Sequence, residues 1–238
     1  MGAGSSVANY YSICTDYGGM IPVESTGGLV YSEGSKIYTI SYNPGRRVYG
    51  ERLLRLSDLE YREWNPRKSK LAAYIKTGGC AFPIKKESRV LYLGASSGTT
   101  ASHISDIANE GKIYCIEFAP RMFRDLVNNC AGRSNMIPIL GDAIQPEEYQ
   151  FAVGQLDMAY ADIAQKRQAD IIADNMDLFH VNTGMVAIKA RSEDVTSQPS
   201  EIYKASEKRL GERGFDILDS RDLEPYENSH RMIVFKRD

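Results

Sequence analysis

Val90-Leu91-Tyr92-Leu93-Gly94-Ala95-Ser96-Ser97-Gly98-Thr99-Thr100 decides how the rest of the chain is read. Val90–Leu93 is a short apolar run without alternation, the pattern of a strand covered on both faces in a parallel sheet. Gly94 and Gly98 permit a sharp turn and close approach of the backbone to a ligand. Ser97, Thr99 and Thr100 put hydroxyls where a helix N-terminus leaves N–H groups unpaired. The helix that follows carries Ile104 and Ile107 on one side and is expected to stop at Gly111, a residue suited to a C-cap. Together these features read as the first β-α turn of a doubly wound α/β fold, with a nucleotide-type ligand at the loop.

Downstream, strand and helix alternate to the end of the chain, as α/β architecture requires. The expected strands are Lys112–Phe118, Met136–Leu140, Leu156–Ala161, Gly184–Ala190, Phe215–Ser220 and Arg231–Lys236. The expected helices are Pro120–Ala131, Gln165–Phe179 and Glu201–Glu212. The link between the last two strands is too short for a helical crossover, which makes them antiparallel neighbours. Upstream, Arg67–Thr77 reads as a basic helix ended by Gly78-Gly79, after a break at Glu63-Trp64-Asn65-Pro66. Before it, Leu29–Tyr31, Lys36–Ile40 and Arg47–Tyr49 are β-branched or aromatic runs separated by turn signals. They predict a small antiparallel β-domain over 29–62, followed by the α/β domain over 63–238. Residues 1–28 are small, polar and Gly-rich, and read as a flexible leader.

The chain of 238 residues carries 29 Lys and Arg against 31 Asp and Glu, a formal net charge of −2. No global basic field advertises nucleic acid. Bases do concentrate at Arg62, Arg67, Lys68, Lys70, Lys76, Lys85, Lys86 and Arg89, interrupted only by Glu63 and Glu87, which predicts a local surface able to hold phosphates. Cys14, Cys80, Cys115 and Cys130 form no C-x-x-C pair, so neither zinc nor thioredoxin-type chemistry is expected, and no metal site is assigned. Cys115 reads as a small core residue. No apolar run is long enough to span a membrane, and the first residues lack a signal-peptide pattern.

In open α/β sheets the ligand lies beyond the C-terminal ends of the strands. A polar residue falls at nearly every such end: the Gly94–Gly98 loop, then Glu117, Asp142, Asp162 and Lys189. Glu117 follows the loop at the distance where an acid accepts ribose hydroxyls. That suits NAD and S-adenosylmethionine equally. The loop is not G-x-G-x-x-G, which disfavours a dinucleotide and hence a nicotinamide dehydrogenase. Asp142 suits an adenine amino group, and the terminal antiparallel strands favour a methyltransferase sheet.

The loop Gly94–Thr100 with Ala101-Ser102-His103-Ile104-Ser105-Asp106 resembles the cofactor loop of the fibrillarin family. So do Ile116-Glu117-Phe118, Arg124-Asp125-Leu126, Asp162-Ile163-Ala164-Gln165 and Ile188-Lys189-Ala190-Arg191-Ser192. Val48-Tyr49-Gly50-Glu51-Arg52 and Tyr61–Pro66 extend the likeness upstream, to about residues 29–238. The resemblance implies a Rossmann-like, mostly parallel methyltransferase sheet with a C-terminal antiparallel strand. It implies 2′-O-methylation of ribose in rRNA and tRNA from S-adenosyl-L-methionine, with a box C/D guide RNA selecting the target inside a ribonucleoprotein. The implied partners are the box C/D scaffold protein, a kink-turn-binding ribosomal-type protein, guide RNA and target RNA, with no membrane. The leader lacks the Gly/Arg-rich run of eukaryotic members, so the archaeal, cytoplasmic type is expected; a eukaryotic source would imply the nucleolus.

Carried over by position, the resemblance gives Gly94, Ala95, Thr99 and Thr100 as cofactor-loop contacts. Glu117 and Phe118 fall to ribose and adenine, Asp142 and Ala143 to the adenine end, and Asp162, Ile163, Ala164 and Gln165 to the methionine part. Lys70, Asp162, Lys189 and His230 fall where the catalytic constellation is expected. A ribose hydroxyl is a weak nucleophile, so a base should assist. Lys189 is the candidate base, with Asp162 holding its amine; His230 is the alternative, tuning or relaying the proton instead. Trp64 is expected to pack the interdomain seam and His103 to be structural. The competing class is a non-catalytic docking component of a box C/D particle; it has no use for a buried Asp162–Lys189 pair.

Overall fold

A computed structural model describes residues 19–238. Its first five strands, β1 (Ile21–Pro22), β2 (Tyr31–Glu33), β3 (Lys36–Ile40), β4 (Leu53–Leu56) and β5 (Leu59–Glu63), form an antiparallel sheet in the order β1-β2-β3-β5-β4. The expected leader therefore requires correction over its described part. Residues 19–28 hold β1 and a helical turn, with Met20 and Thr26 buried, and Thr26 Oγ1 accepts the Val30 N–H; the remainder of that segment, with Cys14, lies outside the described residues. Arg47–Tyr49 is not a strand. The N–H groups of Val48 and Tyr49 donate to the Glu51 carboxylate at 3.0 and 2.9 Å, so no neighbouring strand receives them. The β4–β5 hairpin replaces it.

The small sheet is bound to the α/β domain by buried charge. Arg62, expected on the basic surface, is fully buried; its guanidinium donates to Glu51 at 2.6 Å and to Asp106 at 2.6 Å. Arg133 meets the same aspartate at 2.7 Å. Trp64 stacks on His103 at 4.8 Å, and Thr39 and Tyr49 hydroxyls meet the two nitrogens of that imidazole. Burial, then the charges of Arg62 and Arg133, push His103 well below the usual histidine range. Both residues thus occupy the seam in the structural roles expected.

The second sheet holds β6 (Arg89–Leu93), β7 (Lys112–Glu117), β8 (Met136–Leu140), β9 (Met158–Ala161), β10 (Thr183–Lys189), β11 (Asp216–Asp222) and β12 (His230–Lys236), in the order β11-β12-β10-β9-β6-β7-β8. Strands β8, β7, β6, β9 and β10 are parallel, and β12 runs antiparallel between β10 and β11. This is the Rossmann-like methyltransferase arrangement. Val90 and Tyr92 enter the core on one face and Leu91 and Leu93 that on the other, so the β6 run is apolar throughout because both faces are covered.

The helices are α1 (Lys70–Lys76), α2 (Thr99–Ile107), α3 (Pro120–Cys130), α4 (Gln168–Leu178), α5 (Ala190–Glu193) and α6 (Pro199–Glu212). Helix α1 starts after Arg67 because the Ser69 hydroxyl caps it, accepting the Ala72 N–H at 3.3 Å. Helix α2 ends before Gly111 because Glu110 and Lys112 turn their N–H groups to Lys86 and Ser88 carbonyls. The short α5 went unanticipated. From β6 the chain goes on to β7 on one side, and from β9, the neighbour of β6, it goes on to β10 on the other; this switch point opens the crevice where the polar strand ends gather.

Candidate functional site

The crevice begins at the loop after β6. Gly94 and Ala95 N–H groups both donate to Ile116 O at 3.0 Å, folding the loop over the end of β7. Gly94 has φ +77°, and a Cβ there would lie 2.7 Å from the Asp162 carbonyl oxygen. Glu117, at the end of β7, accepts the Ser96 and Ala119 N–H groups at 2.8 Å each. It thereby fixes the loop, and it borders the crevice. Asp142 accepts the Ile144 N–H at 3.0 Å, and Gln165 Nε2 approaches the same oxygen at 3.4 Å. Gln165 Oε1 is buried without a partner.

These groups surround a cavity of about 290 Å³. Of the residues expected at a cofactor, Gly94, Glu117, Phe118, Asp142, Ala143, Asp162, Ile163, Ala164 and Gln165 line it, and Lys189 lines it with them. Ala95, Thr99 and Thr100 do not. Thr100 is buried with its Oγ1 turned to Ser69 Oγ at 2.9 Å, away from the expected loop contact. Ser96, Met122 and Gly141 line the cavity without having been singled out in the sequence. Ser96 lay within the quoted loop and was legible there; Met122 carried no local signal.

The Asp162 carboxylate is held between two amines. Lys189 Nζ lies 2.8 Å from Oδ1 and Lys70 Nζ lies 3.3 Å from Oδ2. Lys189 also donates to the Asp162 carbonyl at 3.3 Å. Burial alone would raise the Asp162 carboxyl, but the charges of Lys70 and Lys189 and their hydrogen bonds hold it below the usual range. Gln168, not foreseen, fixes the backbone under Lys189: its Oε1 accepts the Lys189 N–H at 2.9 Å, and its Nε2 donates to the Lys189 carbonyl at 3.2 Å.

His230 is paired with Lys189 across β10 and β12. Its Nδ1 lies 2.7 Å from Asn228 O. A carbonyl only accepts, so Nδ1 carries the proton and Nε2 keeps the lone pair of the neutral ring. Burial is the main cause that lowers the His230 pKa, and the Lys70 charge adds to it against the Asn228 carbonyl, Glu227 and Asp162. The structure brings the four expected groups together: the Asp162 carboxylate fixes the Lys70 and Lys189 amines, and His230 lies opposite Lys189 on the neighbouring strand. Such a cluster can hold an attacking oxygen and receive its proton.

A family model described as fibrillarin matches residues 26–238. A fibrillarin-like rRNA/tRNA 2′-O-methyltransferase of Methanopyrus kandleri is 51% identical over 209 residues, 86% of this chain and 90% of that protein. The crystal structure of Aeropyrum pernix fibrillarin with natively bound S-adenosyl-L-methionine superposes with a TM-score of 0.79 at 46% identity, covering 87% of this chain and 92% of that one. A fibrillarin/Nop5p complex superposes with a TM-score of 0.81 at 38% identity, covering 88% and 98%.

Proposed function

This chain belongs to the fibrillarin family, and from that premise we infer that it is an S-adenosyl-L-methionine-dependent RNA ribose 2′-O-methyltransferase, acting on rRNA and tRNA. The observation that carries the reading is the Asp162 carboxylate, which lines the cavity, clamped by Lys70 and Lys189. The residues present fit the cofactor. Two acceptor carboxylates, Glu117 and Asp142, stand at neighbouring strand ends, Gly94 leaves the backbone bare, and the unpartnered Gln165 oxygen awaits a donor. Glu117 would take the ribose hydroxyls, Asp142 and Ala143 the adenine edge, and Asp162 to Gln165 the methionine end.

When bound, S-adenosyl-L-methionine supplies an electrophilic methyl group on a sulfonium sulfur. The rest of the reaction falls to this chain. Lys70 and Lys189 set positive charge where the 2′ oxygen gathers electron density, and Asp162 keeps both amines in place. His230 Nε2 receives the hydroxyl proton, because it holds an available lone pair at neutral pH. Gln168 holds the peptide of Lys189, and so the direction of its side chain, constant.

The superposition on a fibrillarin/Nop5p complex supports a protein partner in a box C/D particle. We assign the scaffold protein, the kink-turn-binding protein and the guide RNA as the rest of the assembly. The near-neutral net charge goes with an enzyme that receives its RNA through partners. We propose a cytoplasmic site of action, in line with the archaeal-type resemblance of the sequence. Calorimetric titration with S-adenosyl-L-methionine should give saturable binding that Asp142→Ala weakens. Guide-directed methyl transfer in the reconstituted particle should vanish in Lys189→Ala. A wild-type particle that assembles but transfers no methyl group would instead identify a docking component.

A further inference from the structure

We propose that Thr100 and Ser69 are positioning residues, whose hydroxyl contact couples the cofactor loop to Lys70 and so holds Lys70 against Asp162. The inference rests on the methyl-transfer reading above and adds a path through which the cofactor side of the site sets its catalytic side.

Lys70 is the first residue of a helix of only seven residues. Helices this short do not support themselves, so the start of α1 is set by what holds it from outside. A lysine at this position also opposes the helix dipole, whose positive end lies there. Nothing local recommends Lys70 at the first turn; Asp162 and the cap must keep it there. The cap is Ser69, buried, with extended backbone at φ −150° and ψ 117°, its Oγ accepting the Ala72 N–H. Its other partner comes from across the domain. Thr100 Oγ1 donates to Ser69 Oγ at 2.9 Å, and Thr100 itself follows the Gly94–Gly98 loop directly as the second residue of α2. The far end of α1 is fastened separately, by Tyr74 to Asp219 at 2.6 Å.

The Thr100–Ser69 bond is thus the polar contact at the Lys70 end of α1 that reaches the cofactor loop. Valine in place of Thr100 keeps the shape and deletes the donor. Ser69 then keeps only its 3.3 Å bond from the Ala72 N–H, its hydroxyl shifts, and the Lys70 amine, one residue on, drifts from the carboxylate. Displacements of this size at a reacting centre lower rates steeply without altering how tightly substrates bind.

The test compares Thr100→Val, Thr100→Ser and Ser69→Ala as full chains, by calorimetry with S-adenosyl-L-methionine and by single-turnover methylation in the reconstituted guide-RNA particle. Thr100→Val should bind the cofactor as the wild type does, keep the KM for target RNA, and lose about ten- to a hundredfold in rate. Thr100→Ser should recover that rate. In a Lys70→Ala background Thr100→Val should cost nothing further, since the hydroxyl acts through Lys70. Loss of cofactor affinity with an unchanged saturated rate would overturn the proposal and make Thr100 a cofactor contact. Equal losses in Thr100→Val and Thr100→Ser, or additivity with Lys70→Ala, would overturn it as packing. Should Thr100→Val not fold, Ser69→Ala beside Lys70→Ala carries the same comparison. Failure of the wild type to bind the cofactor or transfer a methyl group would overturn the methyl-transfer reading and this inference with it.

Discussion

Asp162 and Lys189 form an ion pair of 2.8 Å whose two side chains are only 14% and 17% exposed. The same carboxylate meets Lys70 at 3.3 Å, so removing it strands two cations at once. Asp162→Asn should lower unfolding free energy at neutral pH by about 3–5 kcal/mol, the cost of breaking a buried pair, and abolish methyl transfer. The pH dependence follows from the depressed Asp162 carboxyl. A carboxyl held low in the folded state stabilises above its unfolded pKa of about 3.9 and loses that contribution as pH falls through the folded value. The gap between wild type and Asp162→Asn in denaturant titrations should be full at pH 7 and narrow steadily in acid. A gap independent of pH would contradict the assignment.

The His230 imidazole gives a second pH signature. Its pKa is lowered by burial and by Lys70, so it stays neutral down to acidity below the ordinary histidine value of about 6.5. The rate of guided methylation should therefore hold from neutral pH into mild acid and fall only below that value. His230→Ala should cost about 10²–10⁴-fold in rate at neutral pH, with cofactor binding retained. Histidine NMR titration of the free chain should show His230 titrating on the acid side of 6.5, which is the check on the sign.

The parts of the fold legible in the sequence were those where local pattern and tertiary role agree. Val90–Gly98 read correctly because a doubly covered strand must be apolar throughout and a sharp turn must carry glycine. Asp162 and Lys189 read correctly because a charge at the end of a buried strand needs a purpose. Arg47–Tyr49 was misread because its β-branched pattern says nothing of Glu51, which takes its N–H groups. The β4–β5 hairpin was missed because its turn, Ser57-Asp58, lacks glycine although Ser57 adopts φ +52°. Arg62 looked like surface charge until Glu51 and Asp106 closed on it. Ser69, Thr100 and Gln168 act through partners distant in sequence, so which way their side chains turn is fixed only when α1, α2 and α4 pack.

Arg62 leads to a prediction about the seam between the two sheets. Both carboxylates it meets are buried, and the Arg62 charge, with hydrogen bonds from Val48, Tyr49 and Arg62, holds Glu51 below its usual range against burial. Arg62→Met should cost about 3–5 kcal/mol in chemical denaturation, because the buried Glu51 carboxylate loses its counter-charge and Asp106 keeps only Arg133. Arg62→Lys should recover little of it, since an ammonium cannot replace a fork that spans two acids. Cofactor binding measured well below the melting temperature should be unchanged, as Arg62 lies outside the cavity.

Gly94 joins the cavity to the Asp162 peptide, and its substitution tests both together. The residue sits at φ +77°, and an added Cβ would stand 2.7 Å from Asp162 O and 3.0 Å from Ile163 Cγ2. A methyl group cannot be admitted by turning a flexible side chain, because the obstacle is backbone. In Gly94→Ala either the loop lifts from β7, breaking its bonds to Ile116 O, or the Asp162 peptide moves and takes its carboxylate off Lys70 and Lys189. Left-handed backbone at a non-glycine residue itself costs about 1–2 kcal/mol. The variant should fold with reduced stability, bind S-adenosyl-L-methionine at least tenfold more weakly by calorimetry (about 1.4 kcal/mol), and lose methyl transfer even at saturating cofactor. Recovery of the full rate at saturation would mean that Gly94 shapes the cofactor cavity alone and that the Asp162 peptide tolerates the displacement.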